Sequence, residues 1–183
     1  MVDKKEIMEL FKKYFKTTDE ITIDDKGLVS CTGDVGLQPE LKHERLPVSF
    51  DMVDGDFWCH NNQLTTLEGA PTSVGGDFGC YHNQLTTLEG APTSVGGDFR
   101  CYHNQLTSLE GMPAVEGTLW LSYSPTLPLL RCLLAKEIQL YPKDGKHKTA
   151  EEILNRYAGQ GKRALFDCQK DLEDAGFEGN AKW

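Results

Sequence analysis

The sequence predicts an α+β fold: a β-solenoid with a short parallel sheet, an N-terminal helix and hairpin cap, and a C-terminal helical cap. Three observations predict it. The segment NQLTTLEGAPTSVGGDF occurs twice without change, at 62–78 and 83–99. One aromatic returns every 21 residues, as Phe57, Phe78 and Phe99, a period of the kind that stacked coils show. Around it the pattern F-x-C-x-x-N-x-L-x-x-L-E-G-x-P holds through three units.

The elements follow in chain order. MVDKKEIMELFKKYF mixes charges into its apolar positions, which excludes a secretory signal and predicts an amphipathic helix, with Asp3 as N-cap and Glu6 completing a capping box. Ile21–Cys31 reads as a hairpin around Asp24–Gly27, and LPVSF to DMVDGDF as a degenerate half-repeat with Pro47 in the place of the repeat proline. These pieces make an N-terminal cap over residues 1–54.

The solenoid proper spans 55–130. In each unit the alternation Phe-x-Cys predicts one short half-buried strand. Asn62, Asn83 and Asn104 follow at a fixed offset, where a buried amide needs partners; neighbouring coils supply them if the asparagines form a ladder. Leu64 and Leu67, with their equivalents Leu85, Leu88, Leu106 and Leu109, give an apolar row that only stacking buries. Pro71, Pro92 and Pro113 stop any helix, and Gly75–Gly76 and Gly96–Gly97 turn into the next strand. GTLWLSYSPTLPLL continues the row with Leu119 and Leu121, and Ser124 stands where asparagine is due, so the ladder ends there.

Residues 131–183 form the C-terminal cap. A basic loop with Lys143, Lys146 and Lys148 leads to a capping box of Thr149 and Glu152. Two helices follow, near 150–157 and 162–175, the second with Leu165, Cys168 and Leu172 on one face and Gly176 beyond its end. The terminal pieces cover strand edges that an open stack would expose.

The repeat resembles the leucine-rich repeat, L-x-L-x-x-N-x-L, in its short bacterial form. More closely, GDFxCxxNQLTxLEGxP resembles the repeats of a group of short proteins from tailed bacteriophages, which flank them with an N-terminal helix and hairpin and a small helical tail. The likeness is strongest over Gly55–Pro113. It implies a leucine-rich-repeat-like, noncatalytic scaffold made in an infected bacterial cytoplasm, and it names no specific activity.

Composition narrows the partners. The chain has 183 residues, with 19 Lys and Arg against 28 Asp and Glu, a net charge of -9. That balance argues against nucleic acid and anionic membrane, whose backbones and headgroups select cationic surfaces. Cys59, Cys80 and Cys101 take the same place in three repeats, which reads as core positions in a reducing cytosol rather than a disulfide framework.

The outward letters of the strands are where the copies differ. Alternation puts them in columns on an expected concave face: Asp56, Asp77, Asp98 and Thr118; Trp58, Gly79, Arg100 and Trp120; His60, Tyr81, Tyr102 and Ser122; and, at the bend, Asn61, His82, His103 and Tyr123. Trp, Tyr and Arg dominate protein–protein hot spots, so the first expectation is a protein partner, with the phage resemblance pointing to a host protein. A notch floored by Gly79 between Trp58 and Arg100 suggests instead a planar anionic ligand of nucleotide type. A third use is a structural part of a larger assembly.

Chemistry is disfavoured. An aspartate after glycine commonly accepts turn N–H groups, although a stacked Asp column also suits a cation. In Cys80-x-His82 and Cys101-x-His103 the cysteine points inward and the histidine toward the bend, so no zinc site or catalytic pair forms. GQGKR lacks the earlier glycine and the Ser/Thr of a phosphate-binding loop. The sequence therefore predicts no enzyme, no metal site and no cofactor.

Overall fold

The structure, a computed structural model, describes residues 2–38, 42–142 and 147–183; Lys143 and Lys146 lie outside them. The chain opens with α1 (Lys4–Tyr14), β1 (Phe15–Lys16), β2 (Ile21–Ile23), β3 (Val29–Cys31), β4 (Val35–Leu37) and β5 (Phe50–Val53). The repeats supply β6 (Phe57–Trp58), β7 (Ser73–Val74), β8 (Phe78–Gly79), β9 (Ser94–Val95) and β10 (Phe99–Arg100). β11 (Ala114–Ser122), β12 (Ala135–Tyr141), α2 (Lys148–Tyr157) and α3 (Leu165–Asp174) complete it.

Each repeat contributes two strands, not the one expected from Phe-x-Cys. β4, β6, β8, β10 and β11 form one parallel row, and β3, β5, β7, β9 and the start of β11 form another. The second row comes from the Ser-Val that precedes each Gly-Gly pair. Its valines, Val53, Val74, Val95 and Val115, pair in register and point inward, where a β-branched side chain packs well. Two residues are too few for an alternation to stand out from turn composition.

The core is a set of inward columns. Phe57, Phe78, Phe99, Leu119 and Ile138 pair in register and are fully buried. The rings of Phe57, Phe78 and Phe99 stack at 5.5 Å, and Phe50 meets Phe57 edge-on at 5.1 Å. Phe11 and Phe15 extend that cluster onto Phe50, so α1 plugs the first coil with apolar area. Its N-terminus is capped by Asp3, whose carboxylate accepts the N–H groups of Lys5 and Glu6.

The asparagines form the expected ladder. The Asn83 amide donates to the carbonyls of Cys80, in its own coil, and Cys59, in the preceding one, both at 3.0 Å. Its oxygen accepts the Leu64 N–H at 3.0 Å. Asn104 repeats the arrangement on Cys101, Cys80 and Leu85. Each amide thus satisfies three backbone groups that the bend turns away from strand pairing.

Coil spacing also demands glycine at one corner. A Cβ on Gly96 would fall on the carbonyl oxygen of Gly75, a backbone atom that no rotamer change moves aside.

Both ends are closed by side chains. β2 and β3 make the expected hairpin, with Asp24 accepting from Lys26 and Leu28. At the other end β12 adds a parallel strand to β11, and α2 covers its edge. Asn155 imitates a neighbouring strand there, accepting the Ile138 N–H at 2.8 Å and donating to the Ile138 carbonyl at 2.7 Å. Glu151 takes the Leu140 N–H. The predicted capping box of Thr149 and Glu152 does not form: the N-cap is His147 and makes no side-chain cap bond, because Thr149 already lies inside the helix. α3 starts at Leu165, after a 3-10 turn over Gly161–Ala164, rather than at Lys162. It ends in a Schellman motif: Gly176 has φ 85°, its N–H donates to Glu173, and Phe177 donates to Leu172.

Candidate binding face

The outward side of the row β4–β6–β8–β10–β11 carries the columns that vary between copies. Strand alternation puts Asp56, Trp58 and His60 of one coil beside their equivalents in the next.

The Asp column is a second ladder. Asp34 accepts the Asp56 N–H at 2.8 Å, Asp56 that of Asp77 at 2.7 Å, Asp77 that of Asp98 at 2.7 Å, and Asp98 that of Thr118 at 2.9 Å. One oxygen of each carboxylate is therefore committed to the frame. Asp34 is a member that the sequence reading missed; its Gly33-Asp34 step matches the later Gly-Asp pairs and was the available signal.

Arg100 ties two rungs together. Its Nη1 donates to Asp77 Oδ2 at 2.7 Å and its Nη2 to Asp98 Oδ2 at 3.0 Å. The guanidinium lies 5.3 Å from the Trp58 ring centroid, and Trp120 Nε1 donates to the same Asp98 oxygen at 3.0 Å. This charge is neutralised in place, so it is not the waiting cation that a planar anion would need.

The notch over Gly79 is closed. The Trp58 indole lies where a Cβ on residue 79 would stand, at Cε3 and Cζ3, and Gly79 is buried beneath it. The glycine is needed to seat a tryptophan, not to admit a ligand. Gly79→Ala is accordingly expected to lift Trp58 off the sheet and to change its fluorescence; an emission maximum identical to that of the parent chain would contradict the packing.

The third column is a ring stack. His60 lies 4.4 Å from Tyr81 at 7°, Tyr81 lies 4.8 Å from Tyr102 at 7°, and Tyr102 lies 4.7 Å from Tyr141 at 24°. Ser122 occupies the intervening rung, and its small side chain lets Tyr141, from the paired position on β12, close onto Tyr102. Tyr141 was missed from sequence, although the alternation of Ile138 and Leu140 with Gln139 and Tyr141 already turns it outward. The inner faces of these rings are spent on one another, so the column presents ring edges and hydroxyl groups rather than open aromatic faces.

At the bend His82 and His103 stack at 4.4 Å, on backbone with φ 53° at both. Asn61 takes the same left-handed turn at φ 55°. Tyr123 does not join them. It stacks on His147 at 4.8 Å, and its hydroxyl donates to Asn180 Oδ1 at 3.1 Å, which draws it into the C-terminal cap. Asn180 is a further missed residue, since its amide reaches Ser124 and Leu127 across more than fifty residues of chain, both at 2.8 Å.

Burial lowers the pKa of His60, with His82 adding to the effect, and burial lowers those of His43 and His82 in the same direction. His60 Nδ1 is buried without a hydrogen-bond partner. A histidine whose folded value lies below its unfolded value of about 6.5 contributes full stability above that pH. That contribution is lost as pH falls from about 6.5 through the depressed folded value. Urea unfolding between roughly pH 7.5 and 5 should show this loss, and His60→Phe, which keeps a ring in the stack, should make it shallower. An unchanged slope in that variant would assign the dependence elsewhere.

The cysteines are inward. Cys59, Cys80 and Cys101 are free and fully buried, and burial pushes their thiols well above the ordinary range, which leaves them protonated and unreactive. His82 and His103 point the other way, so the Cys-x-His pairs cannot share a metal. Among the described residues no three His, Cys, Asp or Glu side chains are grouped to hold a metal ion, and no helix is long and apolar enough to cross a membrane.

Fold and face together define the class: a capped β-solenoid with an aromatic, carboxylate-lined outer row. No protein-family model, curated protein or solved structure matches this chain.

Proposed function

We propose that this chain is a noncatalytic scaffold that binds a protein partner through the outward face of the β6–β8–β10–β11 row. The observation that carries the reading is that the face is assembled before any partner arrives. Arg100 and Trp120 are held by Asp77 and Asp98, Trp58 lies against the Arg100 guanidinium, and His60, Tyr81, Tyr102 and Tyr141 are held by one another. Rings already fixed lose little side-chain entropy on binding, and Trp, Tyr and Arg are the residues that anchor protein interfaces. The resemblance to phage repeat proteins makes a host protein the partner, a component of defence or metabolism, blocked by occupancy in the bacterial cytoplasm.

The experiment is native mass spectrometry of the tagged chain drawn gently from a bacterial host lysate. The expected result is one discrete added protein mass that disappears in Trp58→Ala, Arg100→Ala and Tyr102→Ala while each variant stays folded by circular dichroism. Retention of that mass by all three variants would move the interface off this face. An added mass of roughly a few hundred daltons would replace the protein with a small ligand.

A further inference from the structure

The column of Trp58 begins two residues earlier in space than the sequence reading placed it. Lys16 pairs with Gly36 and Gly36 with Trp58, so the column reads Lys16, Gly36, Trp58, Gly79, Arg100, Trp120. Trp58 thus has a glycine on either side. Its indole lies over Gly79, whereas no atom stands within 4 Å of the place a Cβ would take on Gly36.

The Asp ladder brackets both glycines in the same way. Asp77 and Asp98 flank the interval from Gly79 to Arg100, and Asp34 and Asp56 flank the interval from Gly36 to Trp58. In the first interval the carboxylates give Oδ1 to the frame and Oδ2 to the Arg100 guanidinium, at 2.7 and 3.0 Å, with Trp58 beside it at 5.3 Å. In the second, Asp34 and Asp56 give Oδ1 to the frame, at 2.8 and 2.7 Å, and their Oδ2 atoms take no partner among the described residues. The molecule therefore holds one filled guanidinium cradle and, two coils earlier, an open pair of carboxylates bracketing a glycine, with Lys16 on the rung that Trp58 takes in the first.

We propose that the cleft over Gly36, between Asp34 and Asp56 and beside Trp58, is a guanidinium site that receives an arginine side chain of the protein partner. The proposal rests on the protein-binding reading above. Two carboxylates one coil apart, about 4.8 Å, suit a planar fork that can bond both, which a compact ammonium does not match. The carboxylates exclude an anionic group, and the exposed Lys16 across from Gly36 limits the site to a single cation.

The test titrates N-acetyl-arginine amide into the full chain at about 0.15 M salt, followed by amide and indole N–H resonances. Saturable shifts are expected at Gly36, Asp56 and the Trp58 indole, with N-acetyl-lysine amide binding at least about fivefold more weakly. Asp34→Asn with Asp56→Asn should abolish the shifts; both asparagines keep a carbonyl that accepts the ladder N–H, so the remaining spectrum should hold. Gly36→Leu, which meets open space, should also abolish them. Equal response to arginine and lysine, or a response that survives either variant, overturns the site. The two proposals fail separately. A partner lost by Trp58→Ala but kept by Gly36→Leu overturns the cleft and leaves the face. Arginine binding in a chain that captures no protein overturns the partner as the source of the guanidinium.

Discussion

Asn83→Ala is expected to cost about 3 kcal/mol of folding stability, because it strands the buried Leu64 N–H and takes one of two amide donors from each of two buried carbonyls. The amide serves the carbonyls of Cys59 and Cys80 and the N–H of Leu64, and all four residues are buried. Each carbonyl keeps one neighbouring amide, Asn62 at 3.4 Å on Cys59 and Asn104 at 3.0 Å on Cys80, whereas no other side chain among the described residues reaches the Leu64 N–H, and the bend is too enclosed for solvent to replace Asn83 there. Asn104→Ala removes an equivalent set at the end of the ladder, where the residue is half-buried and water can help, so about 2 kcal/mol is expected. Urea unfolding of the two variants beside the parent chain measures the difference. Equal losses would mean that position in the ladder does not matter. A reduced denaturant slope for Asn83→Ala would show coils uncoupling, since each one is stabilised by its neighbours.

Phe78→Ala is expected to be more damaging, at about 4 kcal/mol, through the cavity it opens. The ring is fully buried between Phe57 and Phe99, at 5.5 Å from each. The coils on either side cannot close the gap, because the asparagine and aspartate ladders fix their spacing. Phe78→Leu should cost far less, about 1.5 kcal/mol, since the same column already accepts Leu119 and Ile138. Calorimetric or urea unfolding decides it; a mild Phe78→Ala would show that the stack collapses readily, and with it the claim that the ladders set the spacing.

These two positions are also the ones most legible from sequence. Phe78 and Asn83 recur at a fixed period, and periodic recurrence of an apolar ring or a costly amide has few explanations besides a stacked core and a satisfied ladder. The inward cysteines and the outward place of Trp58, Tyr81 and Arg100 follow from the period-2 rule on the same short strands. The caps were legible where local chemistry marks them, as at Asp3, the Asp24 hairpin and Gly176.

Other features became visible only in three dimensions. The second strand row consists of two-residue pieces whose pairing exists only because coils stack. Whether Gly79 is a cleft or a seat depends on which way Trp58 leans, and a column of letters does not contain a rotamer. Tyr141 completes a ring stack begun at His60, and Asn180 bonds a loop 56 residues earlier; such contacts arise when distant segments fold together. The sequence by itself determined the coil, its core and the face that varies, because those are fixed by period and alternation. The tertiary structure alone decided which outward side chains are bound to each other and which remain open, because that depends on side-chain direction and on long-range packing.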